Sequence, residues 1–151
     1  MKLSTKGRYG LRAMIDLARY SGQEPVTISS IAARQNISER YLEQIVALLK
    51  KGGLVKSIRG ASGGYVLAKE MKEISVGDIL RVLEGSLEPV KCAAFDSEDG
   101  CIAAGGCVTK YVWQKINESI ARTVDEMNLK ELVQESQRIN PEGDYTNHMC
   151  G

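Results

Sequence analysis

The chain of 151 residues contains no apolar run near the ~18 residues that a membrane-spanning helix needs, and its opening MKLSTKGRYG is polar and basic. The expectation is a cytoplasmic protein with no membrane partner. Histidine is almost missing, since His148 is the only one and lies in a polar stretch near the end. There is no glycine-rich nucleotide fingerprint, no paired acid and base, and no nucleophile constellation, so an enzyme is not expected. The close Cys-x2-Cys knuckles of structural zinc sites are absent too, although the chain has four cysteines. In a reducing compartment such thiols point to a metal or redox site rather than to disulfide staples.

The small net charge of +1 conceals an asymmetry. Residues 1–60 hold eleven Lys and Arg against four Asp and Glu, while residues 61–151 hold nine against fifteen. A basic first segment fits a polyanionic partner, and the local pattern decides whether that partner is nucleic acid.

Residues 5–22, TKGRYGLRAMIDLARYSG, place Tyr9, Ala13, Met14, Leu17 and Ala18 on one helical stripe, with Gly22 and Pro25 beyond it. A short helix is predicted at about 29–35, with Ser29 as N-cap and Asn36 as a left-handed C-terminal residue. Ser38 then caps a second helix whose Leu42, Ile45, Val46 and Leu49 share a face before Gly52 and Gly53. Two helices at a three-residue turn are the layout of a helix-turn-helix, whose second helix reads the major groove of DNA.

The outward residues on the first half of that helix are Glu39, Arg40, Glu43 and Gln44. Arg can donate twice to guanine, Gln can pair with adenine, and Glu can accept from cytosine. Glu43 reads equally as a base discriminator or as an i,i+4 ion-pair partner. LVKSIR (54–59) alternates with Leu54 and Ile58 on one side and Val55, Ser57 and Arg59 on the other. GASGG turns it and YVLA (65–68) returns, which makes a wing whose DNA-facing candidates are Ser57, Arg59 and Gly60.

ISVGDILRVLEG (74–85) reads as a helix capped by Ser75 against Asp78, with Val76, Ile79, Leu80 and Leu83 inward. From Val108 to Met127, Val108, Val112, Ile116, Ile120 and Val124 recur at i,i+4. A helix of that length beside a small domain is expected to pair with a second copy. LKELV (129–133) adds a turn or two, and SQRINPEGDYTNHMCG (136–151) reads as a mobile tail. The fold class is therefore mainly α with a small β-hairpin wing: a winged helix-turn-helix domain at 1–85, a cysteine loop at 86–107, a dimerisation helix region at 108–135 and the tail.

KLSTKGRYGLRAM, ISERYLEQI, GLVKSIRGASGGYVL, SVGDIL and the cysteine loop followed by Trp113 together resemble the bacterial IscR-type winged-helix regulators, which include NsrR and CymR, and IscR in particular. The resemblance runs from residue 1 to about 135. It implies a homodimeric repressor-type regulator of transcription bound to double-stranded promoter DNA, with Ser38, Arg40, Tyr41, Glu43 and Gln44 at the DNA and Arg59 in a minor-groove wing. It also implies a [2Fe-2S] cluster held by Cys92, Cys101 and Cys107.

Thiolates are soft ligands suited to iron-sulfur clusters, zinc or Cu(I). The spacing here is Cys-x8-Cys-x5-Cys, which leaves a fourth ligand open. Where relatives often have histidine three residues after the last cysteine, this chain has Lys110, and where others have an acidic residue near position 8 it has Arg8. His148, Cys150, the loop carboxylates Asp96, Glu98 and Asp99, and Asp16 or another residue of a second subunit remain. A zinc- or thiol-switched regulator of CymR type is the alternative, and an iron-sulfur electron carrier is a more distant one.

Overall fold

A computed structural model describes residues 2–90 and 107–143. In chain order it holds α1 (Thr5–Tyr20), α2 (Ile28–Gln35), α3 (Glu39–Lys51), β1 (Val55–Ile58), β2 (Gly64–Leu67), a 3-10 turn (Met71–Glu73), α4 (Val76–Glu84), α5 (Val108–Glu126) and α6 (Leu129–Ile139). Mainly helical with one antiparallel hairpin, this is the winged helix-turn-helix architecture expected from the apolar periodicities.

The sequence sets each boundary by a specific cap. Ser4, Ser38 and Ser75 accept from the backbone N–H three residues on, and Asp78 returns the bond to Ser75, closing a capping box. At α2 the cap is Thr27, not Ser29, since the Thr27 hydroxyl accepts from Ser30 N and Ile28 is already helical. Asn36 ends α2 at φ 53, ψ 51, the left-handed conformation that asparagine tolerates.

Helix α3 buries Leu42, Ile45, Val46 and Leu49, the four positions its period assigns to one face. They meet Met14 and Leu17 of α1 and Ile79 and Leu83 of α4 in one core, each contributing about 1.5–3 kcal/mol by leaving water. Gly10 permits the close approach, because a Cβ there would stand 2.1 Å from Leu83 Cδ1. Core formation thus depends on a missing side chain as much as on apolar ones.

The hairpin pairs Val55 with Leu67 and Ile58 with Gly64. The expected alternation holds within the strand, with Val55 and Ser57 on one side and Ile58 on the other. Leu54 lies before the strand, with its N–H donated to Leu49 O, and it is buried together with Val55. Val55 and Ser57 therefore take the inner side of β1, while Lys56 and Ile58 are exposed. Val26 adds a short third rung by exchanging two backbone bonds with Tyr65.

The end of the chain also departs from expectation. α6 continues to Ile139, beyond the predicted stop near Val133, and Leu129 and Val133 enter the core of the winged domain. Its C-terminal carbonyls have a partner that no local pattern shows: Arg19 of α1 donates to Ser136 O, Asn140 O and Pro141 O. At its start, Leu129 N–H donates to Ile74 O and Val76 N–H to Met127 O, pinning the α5–α6 junction to the head of α4.

Candidate nucleic-acid interface and cysteine site

The turn between α2 and α3 is Asn36, Ile37 and Ser38. Ile37 is buried and anchors the turn, so Ser38 emerges at the head of α3 with its hydroxyl 3.2 Å from Tyr41 N. Ser38, Glu39, Arg40, Glu43 and Gln44 are all exposed, along one side of the first two turns. Among the described residues, the side chains of Arg40, Glu43 and Gln44 make no hydrogen bond or ion pair within the chain, so their polar atoms are available to a partner. The positions four residues either side of Glu43 are Glu39 and Ala47, so a helical ion pair at that spacing has no basic residue to use.

Tyr41 is different, being half-buried with its ring edge against Tyr9 of α1, centroids 6.1 Å apart at 86°. That contact fixes α3 to α1 and leaves the remainder of the tyrosine outward. On the wing, Arg59 and Gly60 are exposed just past the last paired residue, and Gly60 takes φ 114, where a side chain is strained. Ser57 is half-buried and accepts from Lys50 Nζ at 3.0 Å. Lys50 therefore ties the end of α3 to the wing, a link that sequence spacing alone did not disclose.

The structure brings the α3 residues together on one helix face and sets Ser57, Arg59 and Gly60 on the adjoining hairpin. If Glu43 discriminates bases, Glu43→Ala should broaden the preferred site while raising affinity for random duplex. Removing a carboxylate relieves repulsion from phosphate and deletes a partner for cytosine. Sequence selection from a randomised duplex pool checks both effects.

Of the three cysteines, Cys92 and Cys101 lie outside the described residues, as do Asp96, Glu98, Asp99, His148 and Cys150. Cys107 is the N-cap of α5 and is exposed. Its Sγ lies 2.9 Å from Thr109 Oγ1. That hydroxyl first, then the backbone N–H groups of Lys110 and Thr109 and the Lys110 charge, hold its thiol below the usual range, which favours thiolate, the ligand form. Lys110 thus assists the sulfur electrostatically, three residues after Cys107. No group of three potential metal ligands occurs among the described residues.

Asp16 is not available as a cluster ligand. Its carboxylate is fully buried and occupied by a forked pair from Arg34, with Nη2 at 2.7 Å and Nε at 2.9 Å, and by Gln35 Nε2 at 2.9 Å. The same contact holds the Arg34 guanidinium above its ordinary range.

Helix α5 carries its apolar row from free surface to packed surface. Val108, Tyr111, Val112 and Ile116 are exposed, whereas Ile120, Val124 and Met127 pack on Val76, Leu80 and Leu87. An i,i+4 row is inclined to the helix axis, so one continuous row faces outward at the first half and toward α4 at the second. Arg81 clasps Asp125 with two bonds of 2.6 and 3.0 Å and fixes the packed half. Among the described residues no helix is long and apolar enough to cross a membrane.

Two helices at a tight turn, an exposed second helix and a two-stranded wing define a winged helix-turn-helix protein of the DNA-binding regulator class. The chain belongs to the Rrf2 family, described as an iron-dependent transcriptional regulator, which it matches over residues 3–135. It is 46% identical over 132 residues to the HTH-type transcriptional regulator CymR of Bacillus subtilis (strain 168), covering 87% of this chain and 89% of that protein. It is 39% identical over 133 residues to the HTH-type transcriptional regulator IscR of Serratia proteamaculans (strain 568), covering 88% and 79%. Among solved structures, CymR, the global cysteine regulator of B. subtilis, superposes with TM-score 0.74 at 45% identity, covering 89% of this chain and 98% of that one. T. potens IscR also gives 0.74, at 48% identity and 93% and 91% coverage.

Proposed function

We infer that this transcriptional regulator acts in the cytoplasm as a homodimer on double-stranded promoter DNA, and that Cys92, Cys101 and Cys107 hold a [2Fe-2S] cluster whose state biases DNA affinity. The observation that carries the reading is the position of Cys107. A thiolate-favouring cysteine heads α5, whose first half exposes an apolar row and whose second half is clasped to the DNA-binding domain. A ligand at that sulfur bears on a helix that joins the proposed dimer contact to the DNA-binding domain.

Residues 38–44 of α3 would enter the major groove, and Arg59 with Gly60 would follow the minor groove. When bound, the cluster would supply one-electron chemistry and sensitivity to oxidants, which a site with only three thiolates would heighten. A change in cluster state regulates only if it binds two conformations unequally. The anchored second half of α5 and its pinned junction with α6 offer a rigid route by which the loop's state reaches α4.

Anaerobic purification followed by cluster reconstitution is expected to give a red-brown protein whose visible absorption is lost in Cys92→Ala. A colourless wild type after reconstitution would overturn the assignment. A second reading, a zinc- or thiol-switched regulator, draws on the 46% identity to CymR and on Lys110 at the site of the usual histidine. Metal analysis of the same sample separates the two, since iron with sulfide supports the first and zinc or no metal the second.

A further inference from the structure

The structure assigns to Asp16 of α1 the role of positioning residue for the recognition helix, exercised through Arg34 and Gln35 at the end of α2. This rests on the DNA-binding reading and adds to it a specificity determinant that touches no DNA.

The last turn of α2 is held from α1 at four points. Asp16 accepts the Arg34 fork and the Gln35 amide, while Arg12 donates Nε to Gln35 Oε1 at 3.2 Å and Nη2 to Gln35 O at 2.6 Å. Gln35 is 3% exposed and Asp16 2%, so these bonds form in a water-poor site where leaving one unmade is costly. The next residue is Asn36 in its left-handed conformation, and the N-cap of α3 follows two residues later. Fixing Gln35 therefore fixes the rotation and advance of the turn from which Ser38 and the reading face emerge.

Aromatic contacts extend the frame. Arg34 stacks over Tyr20 at 4.1 Å and Arg12 over Tyr9 at 5.2 Å, and Tyr9 carries the Tyr41 ring of α3. Asp16 thus sits between both anchors of the helix-turn-helix. An ion pair with one partner buried and the other near the surface is a modest source of net stability compared with apolar packing. What this one supplies is a single geometry, and base readout demands it, because useful contacts tolerate displacements of only about 0.5 Å.

Non-specific binding makes no such demand, since it depends on charge placed near phosphates. That difference gives the test. Wild type, Asp16→Asn and Arg34→Lys would be titrated against a duplex that the wild type selects from a random pool, and against a scrambled duplex, with thermal melting to score folding. Loss of about one bidentate base contact is expected, roughly a tenfold weaker affinity for the selected duplex, while scrambled-duplex affinity and its salt slope stay within about twofold. Arg34→Lys keeps the charge, lacks the fork and lies partly at the surface, so it should show the same selective loss if Asp16→Asn fails to fold. Equal losses on both duplexes, or unchanged discrimination in the folded variants, would overturn the assignment. Wild type that fails to discriminate would instead refute the DNA-reading interface itself.

Discussion

Replacing Gln44 and Arg59 together by alanine is expected to reduce affinity for the promoter duplex by about 30-fold or more, because each contact of this kind is worth about 1–3 kcal/mol. The two residues lie on different elements, α3 and the wing tip, so their losses should add nearly independently. Both side chains are exposed and, among the described residues, neither bonds within the chain, so thermal stability should move by no more than about 0.5 kcal/mol. Fluorescence anisotropy with a labelled duplex measures the effect. Unchanged affinity would show that the interface lies elsewhere on the fold.

The second large effect concerns α5. Val112→Glu with Ile116→Glu should convert the proposed dimer to a folded monomer and lower DNA affinity with it. In the single chain these residues are 46% and 39% exposed, so charging them costs the monomer little. In a helix pair the same carboxylates would be buried without partners, a cost of roughly 3–5 kcal/mol for each unpaired charge. Sedimentation analysis gives the mass, and a dimer that survives both substitutions would place the interface away from this row. The proposed two-fold arrangement matters because two half-sites bound by linked reading heads gain affinity that one head lacks.

The residues of these two tests differ in how plainly their surroundings showed in the sequence. Leu42, Ile45, Val46 and Leu49 announce α3 because one side faces a core and the other faces outward, which leaves Arg40, Glu43 and Gln44 as the exposed set. Ser38 and Ser75 announce helix starts for an equally local reason, a hydroxyl three residues before an otherwise unpaired N–H. Thr27 was hidden by Ser29, which offers the same chemistry two residues on. The strand at Val55 keeps its period of two, but the pattern did not show that Leu54 precedes the pairing and is buried along with Val55, nor that the Val55 side is the inner one.

Long-range partners were beyond local pattern. Asp16 reads as a polar residue on a helix side, and only the approach of α2, eighteen residues on, makes its burial tolerable by supplying Arg34. The last turn of α6 has little apolar periodicity and Ile139 is 67% exposed, yet Arg19 satisfies its carbonyls and the helix persists. Lys50 reaching Ser57 belongs with these, since the intervening glycine turn gives no sign that the two meet. Of the cysteine site, the spacing is legible, and Cys107 adds a physical reason for one of its thiols to ligate.

The most direct test of cluster sensing is the DNA affinity of one dimeric preparation, measured anaerobically with the cluster in place and again after its removal. Coupling of the usual size, about 1–3 kcal/mol, predicts a change of about 5- to 150-fold for at least one selected duplex. Equal affinities for every selected duplex in the two states would contradict the account.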